Sequence, residues 1–567
     1  MYTTISYYYI IWRPILNMPR QNIIKGTSLH QQLLLPIDMT EWLSDDDVVY
    51  AITDTLALLD LSDFYSEYRE DGIGGSFYDP ISMLGIIMYA TVRGERSSRK
   101  IELACRYDVG YRIAGQNTQP DHTTIFRFKQ RFAPQLKGLF KQFSSLIIRS
   151  GVTSLGIIAL DGTKMGANTS LSANRRANWL SQQLTHAMIN ELEESLAQDA
   201  REEEEDASLF PDYRLPEDLA TREKRIKRLK KANNALIEEQ KEHAKQKEQK
   251  IAEREAEERE SGKKKRGQKP NPPDYEPSPD AKVNLTDPES RIMKTQNGYL
   301  QGYNVQFLTN SDQFIFVANL TNAQNDKEQL ETNVADVMDL IRECEETPPS
   351  VLVADAGYYS TSNILSERRD SPSLIIATKK ERKFDLSAAN SRLLSEIDEL
   401  CRPRSDLFLA IPVITSLARV AWELFIDRDS PAKQQEIVRC VMDARMAIPS
   451  NREHYRKRKW MVESVNGNLK SNLRFTRFQG KGIRFCAGEL ALAALCMNIL
   501  KARNLKVLPD ILECQKHHGG VRGQRCVSSL SLLKGIVHQA KCVKGVWDYV
   551  SRGVFYGVTG GRGMVAA

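Results

Sequence analysis

Apolar residues recur at helical spacing through the first 150 residues of the chain. Residues 45–68 start with three aspartates, which complement a helix dipole, and continue with apolar residues three and four positions apart. The same period returns in three segments, each preceded by a helix breaker or a capping residue: 81–94, 99–115 and 123–132. The pattern predicts an all-helical domain at residues 18–150.

One of these predicted helices has a basic face. Arg127, Lys129 and Arg131 alternate with three phenylalanines in residues 123–132. Short helices joined by tight turns, one of them basic, suit a DNA-binding module of the helix-turn-helix kind, so we expect residues 18–150 to bind DNA. The alternative is a helical scaffold whose basic residues are ordinary surface residues.

Short apolar, β-rich runs follow the helical region. The run from Ile157 ends in Asp161, and the run from Val351 ends in Asp355. Such runs predict buried strands that place a carboxylate at the rim of a sheet. Residues 284–310 and 313–322 alternate between apolar and polar around a short polar turn and predict a hairpin. The alternative for each aspartate alone is a residue of a strand-to-loop turn.

Residues 178–280 differ sharply in composition from their surroundings. Acidic and basic blocks alternate along a thin apolar seam, and Gly- and Pro-rich residues 262–280 close the segment. The pattern predicts a long charged helix or helical hairpin, then a disordered linker.

The segment Tyr455–Arg477 predicts a helix with two different faces. At about 100° per residue, Met461, Val465 and Leu469 lie on an inward apolar face. The opposite face carries Glu463 together with a set of basic or small residues: Arg452, Arg456, Lys459, Gly467, Lys470 and Arg474. A single carboxylate within a basic stripe suits a site that acts on a polyanion. The alternative is a solvated basic face with an incidental Lys459–Glu463 pair.

The composition of the chain indicates in which cellular compartment the protein works. The 567 residues carry a net charge of +6, and nine cysteines form no CxxC pair, which favours reduced thiols and a cytoplasmic location. No run of about 18 apolar residues is present, so we expect no membrane span. Residues 1–17 lack an early positive charge and make a poor signal peptide; we expect a non-native extension ahead of a start at Met18.

Asp161, Asp355 and Glu463 are the candidate catalytic residues. Three carboxylates brought together repel one another unless cations neutralise them, and oxygen ligands favour Mg²⁺ or Mn²⁺. Two ions about 3.5–4 Å apart activate the attacking oxygen and stabilise the leaving oxygen of a phosphoryl displacement. The trio therefore predicts a site for two metal ions, with basic residues alongside for a phosphate backbone.

Several segments of the chain resemble bacterial insertion-sequence transposases with an RNase H-like DDE domain. The resemblance lies in residues 159–168, 284–306, 351–360 and 455–482, and in residues 77–128 for the helical domain that precedes the catalytic core. It implies an α/β fold with an RNase H-like mixed sheet flanked by helices, an N-terminal all-α domain and helical insertions. Asp161 is then expected on the first strand of the sheet, Asp355 on the fourth and Glu463 on a later helix.

The Tyr-Arg-Glu-Lys signature of this family matches Tyr455, Arg458, Glu463 and Lys470. Four residues separate the arginine from the glutamate here, whereas the commonest form has three; Lys459 has the three-residue spacing. Either Arg458 or Lys459 therefore suits the role of the arginine. The signature implies DNA contacts by Tyr455, by Arg458 or Lys459, and by Lys470, and the basic face of the predicted helix adds Arg456 and Arg474.

The resemblance implies metal-dependent cleavage at the element's ends, which exposes a 3′-OH that attacks target DNA. Its partners are then terminal inverted repeats, target DNA and a second copy of the chain, in the cytoplasm of a bacterium at the nucleoid. Two other functions remain open: an RNase H-like nuclease without strand transfer, and a catalytically silent transposase-derived DNA-binding protein.

The expected division of the chain follows from all these patterns: 1–17 non-native extension, 18–150 helical domain, 151–177 and 281–380 sheet core, 178–280 charged insertion and linker, 381–450 helical insertion, 451–503 catalytic helix and core helix, 504–567 irregular tail.

Overall fold

A computed structural model describes most of the chain between residues 39 and 518. The described residues are 23–24, 39–69, 75–185, 222–261, 271–295, 298–367, 371–378, 438–439, 442, 445–446 and 449–518. The predictions for residues 1–17, for most of 381–450 and for 519–567 lie outside the described residues.

Helices dominate the N-terminal part, as the apolar periodicity predicts. Two short strands pair in parallel here, β1 (Ile23–Ile24) with β2 (Phe77–Tyr78). The helices are α1 (Val48–Leu58), α2 (Ser62–Tyr65), α3 (Pro80–Val92), α4 (Ser98–Tyr107), α5 (Val109–Ala114), α6 (His122–Arg131) and α7 (Ala133–Arg149). Aspartates set several starts: Asp47 caps α1, Asp79 caps α3 and Asp121 caps α6, each accepting from backbone N–H groups.

The basic face predicted on α6 is only partly exposed. Lys129 is buried and its Nζ donates to Oε1 of Gln479 at 3.3 Å, so it is not available to DNA. The guanidinium of Arg131 lies over the ring of Tyr68, while Arg127 is exposed. Tertiary packing therefore overrides the pattern: alternation with phenylalanine does not place all three cations on one free face.

A mixed sheet forms the centre of the fold, and the expectation of an α/β sheet flanked by helices is confirmed. Its strands are β3 (Ile157–Gly166), β6 (Arg291–Thr295), β7 (Gly298–Asn310), β8 (Ile315–Thr321), β9 (Val351–Ala354) and β10 (Ser373–Ile376); a separate ribbon pairs β4 (Asn174–Arg176) with β5 (Lys282–Asn284). The order is β10-β9-β3-β7, with β6 and β8 on successive parts of the far edge of β7. β3 is parallel to β9 and antiparallel to β7, and the predicted β7–β8 hairpin is confirmed.

The strand that carries Asp161 is longer than the sequence predicts. β3 continues five residues past Asp161 because it pairs with β7 as far as Gly166. Its pairing with β9 ends at Leu160 opposite Ala354, so Asp161 lies at the rim only on the β9 side. Asp355 follows the fifth strand of the sheet in chain order rather than the fourth, because β6 adds a short strand before β7.

The later helices include the predicted charged one. They are α8 (Ala177–Thr185), α9 (Arg222–Ser261), α10 (Leu330–Glu343), α11 (Thr361–Leu365), α12 (Pro449–Arg458), α13 (Ser464–Ser471), α14 (Ile483–Asn504) and α15 (Leu508–His518). Leu229 and Leu236 of α9 pack with Leu180 and Val283 in a small separate cluster. The prediction of a long charged helix is thus confirmed.

Two predictions of irregular structure are wrong in part. Of the linker expected to be disordered, residues 271–280 lie against α9: the Gln240 amide donates to the Asp274 carbonyl at 2.7 Å, and the Tyr275 hydroxyl donates to Glu248. Residues 262–270 lie outside the described residues. In the expected irregular tail, Leu508–His518 is helical because Leu508 and Ile511 pack into the main core.

The apolar helix α14 holds the two parts of the fold together. Within the described residues it is the one helix long and apolar enough to span a membrane, but 78% of its apolar window is buried inside the protein. It packs against α7, α3 and β8, and the Asn498 side chain exchanges hydrogen bonds with the backbone of Ile315. α14 is a core helix shared by the N-terminal helices and the sheet.

Candidate active site

Asp161 and Asp355 are neighbours at the point where β9 leaves β3. Each follows one member of the paired residues Leu160 and Ala354. The carboxylate of Asp355 accepts from the N–H of Gly357 at 2.8 Å and so begins a 3₁₀ turn at Ala356–Tyr358. Burial raises the pKa of Asp161 to about 6; Arg458 opposes this rise, and the charge of Asp355 adds to it. The two carboxylates therefore interact.

A further carboxylate, Asp326, lies beside this pair and was missed by the sequence patterns. Its Oδ1 accepts from Asn304 at 2.6 Å and from Gln306 at 2.9 Å. The same oxygen lies 3.3 Å from the Nζ of Lys164. A Cβ on Gly162 would lie 2.6 Å from that oxygen, so the residue after Asp161 has to be glycine for Asp326 to fit. The signal in the sequence was weak, since Asp326 lies in a polar loop and follows no apolar run.

The helix that carries Glu463 is interrupted by a π-helical turn. α12 ends at Arg458, a π turn spans Lys459–Glu463, and α13 begins at Ser464. Since a π turn bonds residues five apart, Arg458 and Glu463 share a face. The regular helix predicted over Tyr455–Arg477 is therefore wrong, and the cation that contacts Glu463 is Arg458.

The π turn accommodates the extra residue between Arg458 and Glu463. It allows Met461 and Val462, which are adjacent in sequence, both to be buried. Side chains of the hairpin bind its carbonyl groups: the Gln313 amide donates to Trp460 O at 3.0 Å, and the Thr309 hydroxyl donates to Met461 O at 3.1 Å. These contacts stabilise a geometry that is rare in helices.

Arg458 links two of the three candidate acids. One guanidinium nitrogen lies 3.7 Å from Oδ1 of Asp161 and the other lies 3.8 Å from Oε1 of Glu463. The side chains of Arg458 and Asp161 are 15% exposed and that of Glu463 is 45% exposed. The guanidinium also lies 5.7 Å from the ring centroid of Tyr455. Of the two candidates for the signature arginine, Arg458 is the one that contacts the acids.

Lys470 and Asn466 complete the wall of the site on α13. The Nζ of Lys470 donates to the Thr163 hydroxyl at 2.6 Å, and the Asn466 amide donates to Oδ2 of Asp161 at 3.3 Å. Burial lowers the pKa of Lys470, and the charge of Asp161 opposes that change. Both side chains are therefore held within reach of Asp161.

The remaining predicted DNA-binding residues lie on three segments: α12, the π turn and the chain beyond α13. Arg456 and Lys459 are exposed on α12 and the π turn, and Tyr455 is partly buried. Arg474 is exposed but does not lie on the helix with Glu463, because α13 ends at Ser471 and Arg474 has a φ of 50°. Its predicted place on the helical face of Glu463 is wrong.

The chain after α13 returns to the end of β3 and fixes the catalytic helix. The Phe478 N–H donates to the Gly166 carbonyl at 2.8 Å, and the Gly166 N–H donates to the Thr476 carbonyl at 3.3 Å. Arg96 of the N-terminal part pairs with Glu489 of α14 at 3.2 Å and stacks on Phe475. The segment after α13 is thus held in place by contacts with β3 and with the N-terminal part, which itself pairs with α14.

The donor chemistry of the site fits a divalent cation, although the three acids do not yet form a ligand cluster. Carboxylate oxygens suit Mg²⁺ and Mn²⁺. Asn466 Oδ1 is buried beside Asp161 without a hydrogen-bond partner, as in a site that a ligand completes. Within the described part of the chain, no three His, Cys, Asp or Glu side chains are arranged to hold a metal ion. The guanidinium of Arg458 supplies the positive charge that lies between Asp161 and Glu463.

Comparison with protein-family models decides the identity. Residues 38–131 match a transposase domain (DUF772), and residues 278–499 match a transposase DDE domain. The chain belongs to the insertion-sequence transposases with a DDE catalytic domain. The transposase is therefore an enzyme that cleaves DNA and transfers strands, and the DDE domain implies an RNase H-like fold for its mixed sheet.

The two matches cover the transposase unevenly. The DDE match includes Asp355 and Glu463 but starts after Asp161, which the pairing of β3 with β9 brings to the site. A comparison with curated protein sequences finds no match. DDE transposases act on DNA and generally use divalent metal ions. Nothing favours the two alternative functions, the simple nuclease and the silent DNA-binding protein.

Proposed function

We propose that Asp161, Asp355 and Glu463 are the catalytic acids of this transposase and hold two Mg²⁺ or Mn²⁺ ions. The observation that carries the proposal is the adjacency of Asp161 and Asp355, with Glu463 joined to Asp161 through Arg458. Bound ions would lower the pKa of an attacking water or 3′-OH and stabilise the leaving oxygen.

The protein's own residues orient the DNA strand in this proposal. Arg456, Lys459 and Arg474 are exposed cations that hold backbone phosphates. Lys470, fixed by its bond to Thr163, holds a phosphate next to Asp161. Tyr455 and Arg458 bind the strand near the scissile phosphate. Asp326 keeps Lys164 and the amides of β7 in place behind Asp161 and Asp355.

The partners of the reaction follow from the same proposal. The transposase binds the terminal inverted repeats of its element and the target DNA, and acts as a homodimer on paired ends. Reduced thiols fit a bacterial cytoplasm, at the nucleoid, because Cys105, Cys344, Cys486 and Cys496 are buried free thiols. The N-terminal helices contribute to DNA binding through exposed residues such as Arg127 rather than through Lys129.

A combined cleavage and joining assay tests the proposal. Asp161→Asn, Asp355→Asn and Glu463→Gln remove one charge each, and we expect each to reduce Mg²⁺-dependent cleavage of labelled end DNA by at least about 10³-fold, because metal charge stabilisation is worth several kcal/mol. End binding in a gel-shift assay stays largely intact. Full cleavage by any of the three variants would exclude that residue from the catalytic set.

Strand transfer is measured in the same assay. Wild-type protein should join a pre-cleaved 3′-OH end to plasmid DNA, and Asp339→Asn, an exposed acid on α10 paired with Arg342, serves as the matched charge control. Cleavage without joining would favour the simple nuclease, and binding without Mg²⁺-dependent nicking would favour the silent DNA-binding protein.

A further inference from the structure

Arg458 occupies an unusual position for a residue expected to bind DNA. Its guanidinium faces inward and contacts Asp161 and Glu463, at 3.7 and 3.8 Å, while the neighbouring cations Arg456 and Lys459 are exposed. The π turn is what brings Arg458 and Glu463 to one face, because a regular helix with four intervening residues would rotate them apart. The geometry is thus built into the backbone rather than into one side-chain rotamer.

We propose that Arg458 couples metal entry to DNA binding: its guanidinium substitutes for a divalent cation between Asp161 and Glu463 until a DNA phosphate draws it away. The inference rests on the proposed catalytic role of the two acids and adds a state of the site before DNA arrives. In that state the protein itself neutralises Asp161 and Glu463 through Arg458.

The metal ion and the Arg458 guanidinium compete because both bind the same carboxylate oxygens of Asp161 and Glu463. A divalent cation bound by Asp161 and Glu463 needs the oxygens that Arg458 contacts, and a guanidinium and a metal ion in one place repel each other. Arg458 and Asp161 are mostly buried, so solvent screens this repulsion only weakly beside Asp161. Metal and guanidinium therefore exclude each other.

A DNA phosphate offers Arg458 a better partner. Guanidinium groups bind phosphate in a bidentate fork, and such charge-assisted bonds are shorter than the 3.7–3.8 Å contacts seen here. Tyr455 supports one face of the guanidinium, and exposed Arg456 and Lys459 attract the strand to this end of α12. By thermodynamic linkage, bound DNA changes the affinity for metal by the same factor as bound metal changes the affinity for DNA.

The first test measures metal binding without DNA. Mn²⁺ is titrated into the full chain and free Mn²⁺ is followed by electron paramagnetic resonance. We expect Arg458→Gln to bind Mn²⁺ at least about fivefold more tightly than wild type, the lower end of typical coupling factors. Arg452→Gln, which removes an exposed arginine from the same helix, should leave the affinity unchanged. Equal or weaker Mn²⁺ binding by a folded Arg458→Gln variant would overturn the inference.

A second variant keeps the test decisive if Arg458→Gln does not fold, as judged by circular dichroism. Arg458→Lys retains the charge but has a single ammonium group that cannot contact both acids through two nitrogens. We expect its Mn²⁺ affinity to lie between those of wild type and Arg458→Gln. A wild-type affinity in this variant would also contradict the competition.

Glu463→Gln separates failure of the inference from failure of the proposed function. If Glu463 holds metal, Glu463→Gln weakens Mn²⁺ binding, whatever Arg458 does. Unchanged Mn²⁺ binding in Glu463→Gln would reject the catalytic assignment itself. A weakened Glu463→Gln together with an unaltered Arg458→Gln would reject only the role of Arg458.

The release step is tested by adding DNA. A short duplex of the element's terminal sequence should raise the Mn²⁺ affinity of wild-type protein, and this gain should shrink by at least about fivefold in Arg458→Gln, which has no guanidinium to release. An equal gain in both proteins would show that DNA does not act through Arg458.

Discussion

The side chain of Lys470 is fixed to Thr163 by a 2.6 Å hydrogen bond between Nζ and the Thr163 hydroxyl. Thr163 lies two residues beyond Asp161 on β3, and Lys470 lies on α13, seven residues after Glu463. This one contact ties the strand that carries the first candidate acid to the helix that follows the last. It also holds an ammonium group, half withdrawn from solvent, where a phosphate next to Asp161 would lie.

Lys470→Ala is expected to weaken DNA binding without abolishing chemistry at saturating DNA. Because one phosphate contact is lost, the slope of log K against log salt should decrease by about one. Fluorescence anisotropy with labelled end DNA at several salt concentrations measures this slope.

Lys457→Ala is the matched control for Lys470. It removes an equal charge from the same region, but Lys457 pairs with Glu453 at 3.1 Å and is half exposed. We expect little change in salt slope. If the two variants behave alike, the position of Lys470 beside Thr163 has no special role in holding DNA.

Removal of the single residue Lys459 is expected to be tolerated by the fold. The deletion turns the π turn into a regular helical turn and keeps Arg458 and Glu463 on one face, with the commoner three-residue spacing. Deletion of Asn468 from the regular helix α13 instead rotates Lys470 by about 100° relative to the residues before the deletion. Thermal unfolding followed by circular dichroism should show a near-native unfolding temperature when Lys459 is deleted. It should show a strongly lowered unfolding temperature when Asn468 is deleted. The reverse order would contradict the role given to the π turn.

Asp326→Asn should destabilise the protein, although Asp326 is not one of the three acids proposed to be catalytic. The substitution leaves Lys164 without its anionic partner in a site where both side chains are less than one-quarter exposed, at 18% and 23%. Leaving a partly buried charge of this kind unpaired costs about 1–3 kcal/mol. The free energy of unfolding in urea measures the loss, and Asp339→Asn, whose pair with Arg342 is exposed, should change it by less than about 0.5 kcal/mol.

The raised pKa of Asp161 predicts a pH dependence of stability in metal-free protein. Burial raises this pKa to about 6, so the folded state keeps a proton that the unfolded state has released above about pH 4. Stability contributed by this proton is present at low pH and is lost as pH rises through about 6. Relative to Asp161→Asn, wild type should therefore lose about 2 kcal/mol between pH 4 and pH 7.

Urea unfolding of both proteins in EDTA measures this difference, since other titrating groups contribute equally to the two. Parallel pH profiles would contradict the raised pKa. Metal binding should show the matching trend, because a proton on Asp161 competes with a cation: Mn²⁺ affinity should fall as pH drops through about 6.

The sequence predicts those parts of the site that local patterns determine. Asp161 and Asp355 end apolar runs that form neighbouring strands, and Met461, Val465 and Leu469 are buried as the helical wheel predicts. A wheel at 100° per residue cannot represent a π turn, and so it favoured Lys459 over Arg458. The four-residue spacing and the adjacent apolar pair Met461-Val462 were the available signals for that turn.

Other features depend on contacts between distant segments and had no local signal. Lys129 is drawn inward by Gln479, 350 residues later in the chain. Asp326 reaches Asp161 only because Gly162 leaves space for it and because β3 and β7 pair in one register. The ordered path of residues 271–280 depends likewise on α9 beside it.

Anomalous diffraction from crystals of the transposase with end DNA and Mn²⁺ tests the central claim most directly. We expect two Mn²⁺ peaks about 3.5–4 Å apart, and we expect Asp161, Asp355 and Glu463 to supply the protein ligands of the two ions. The Arg458 guanidinium should then lie on a DNA phosphate. Manganese bound elsewhere, or bound while Glu463 contributes no oxygen, would contradict the account.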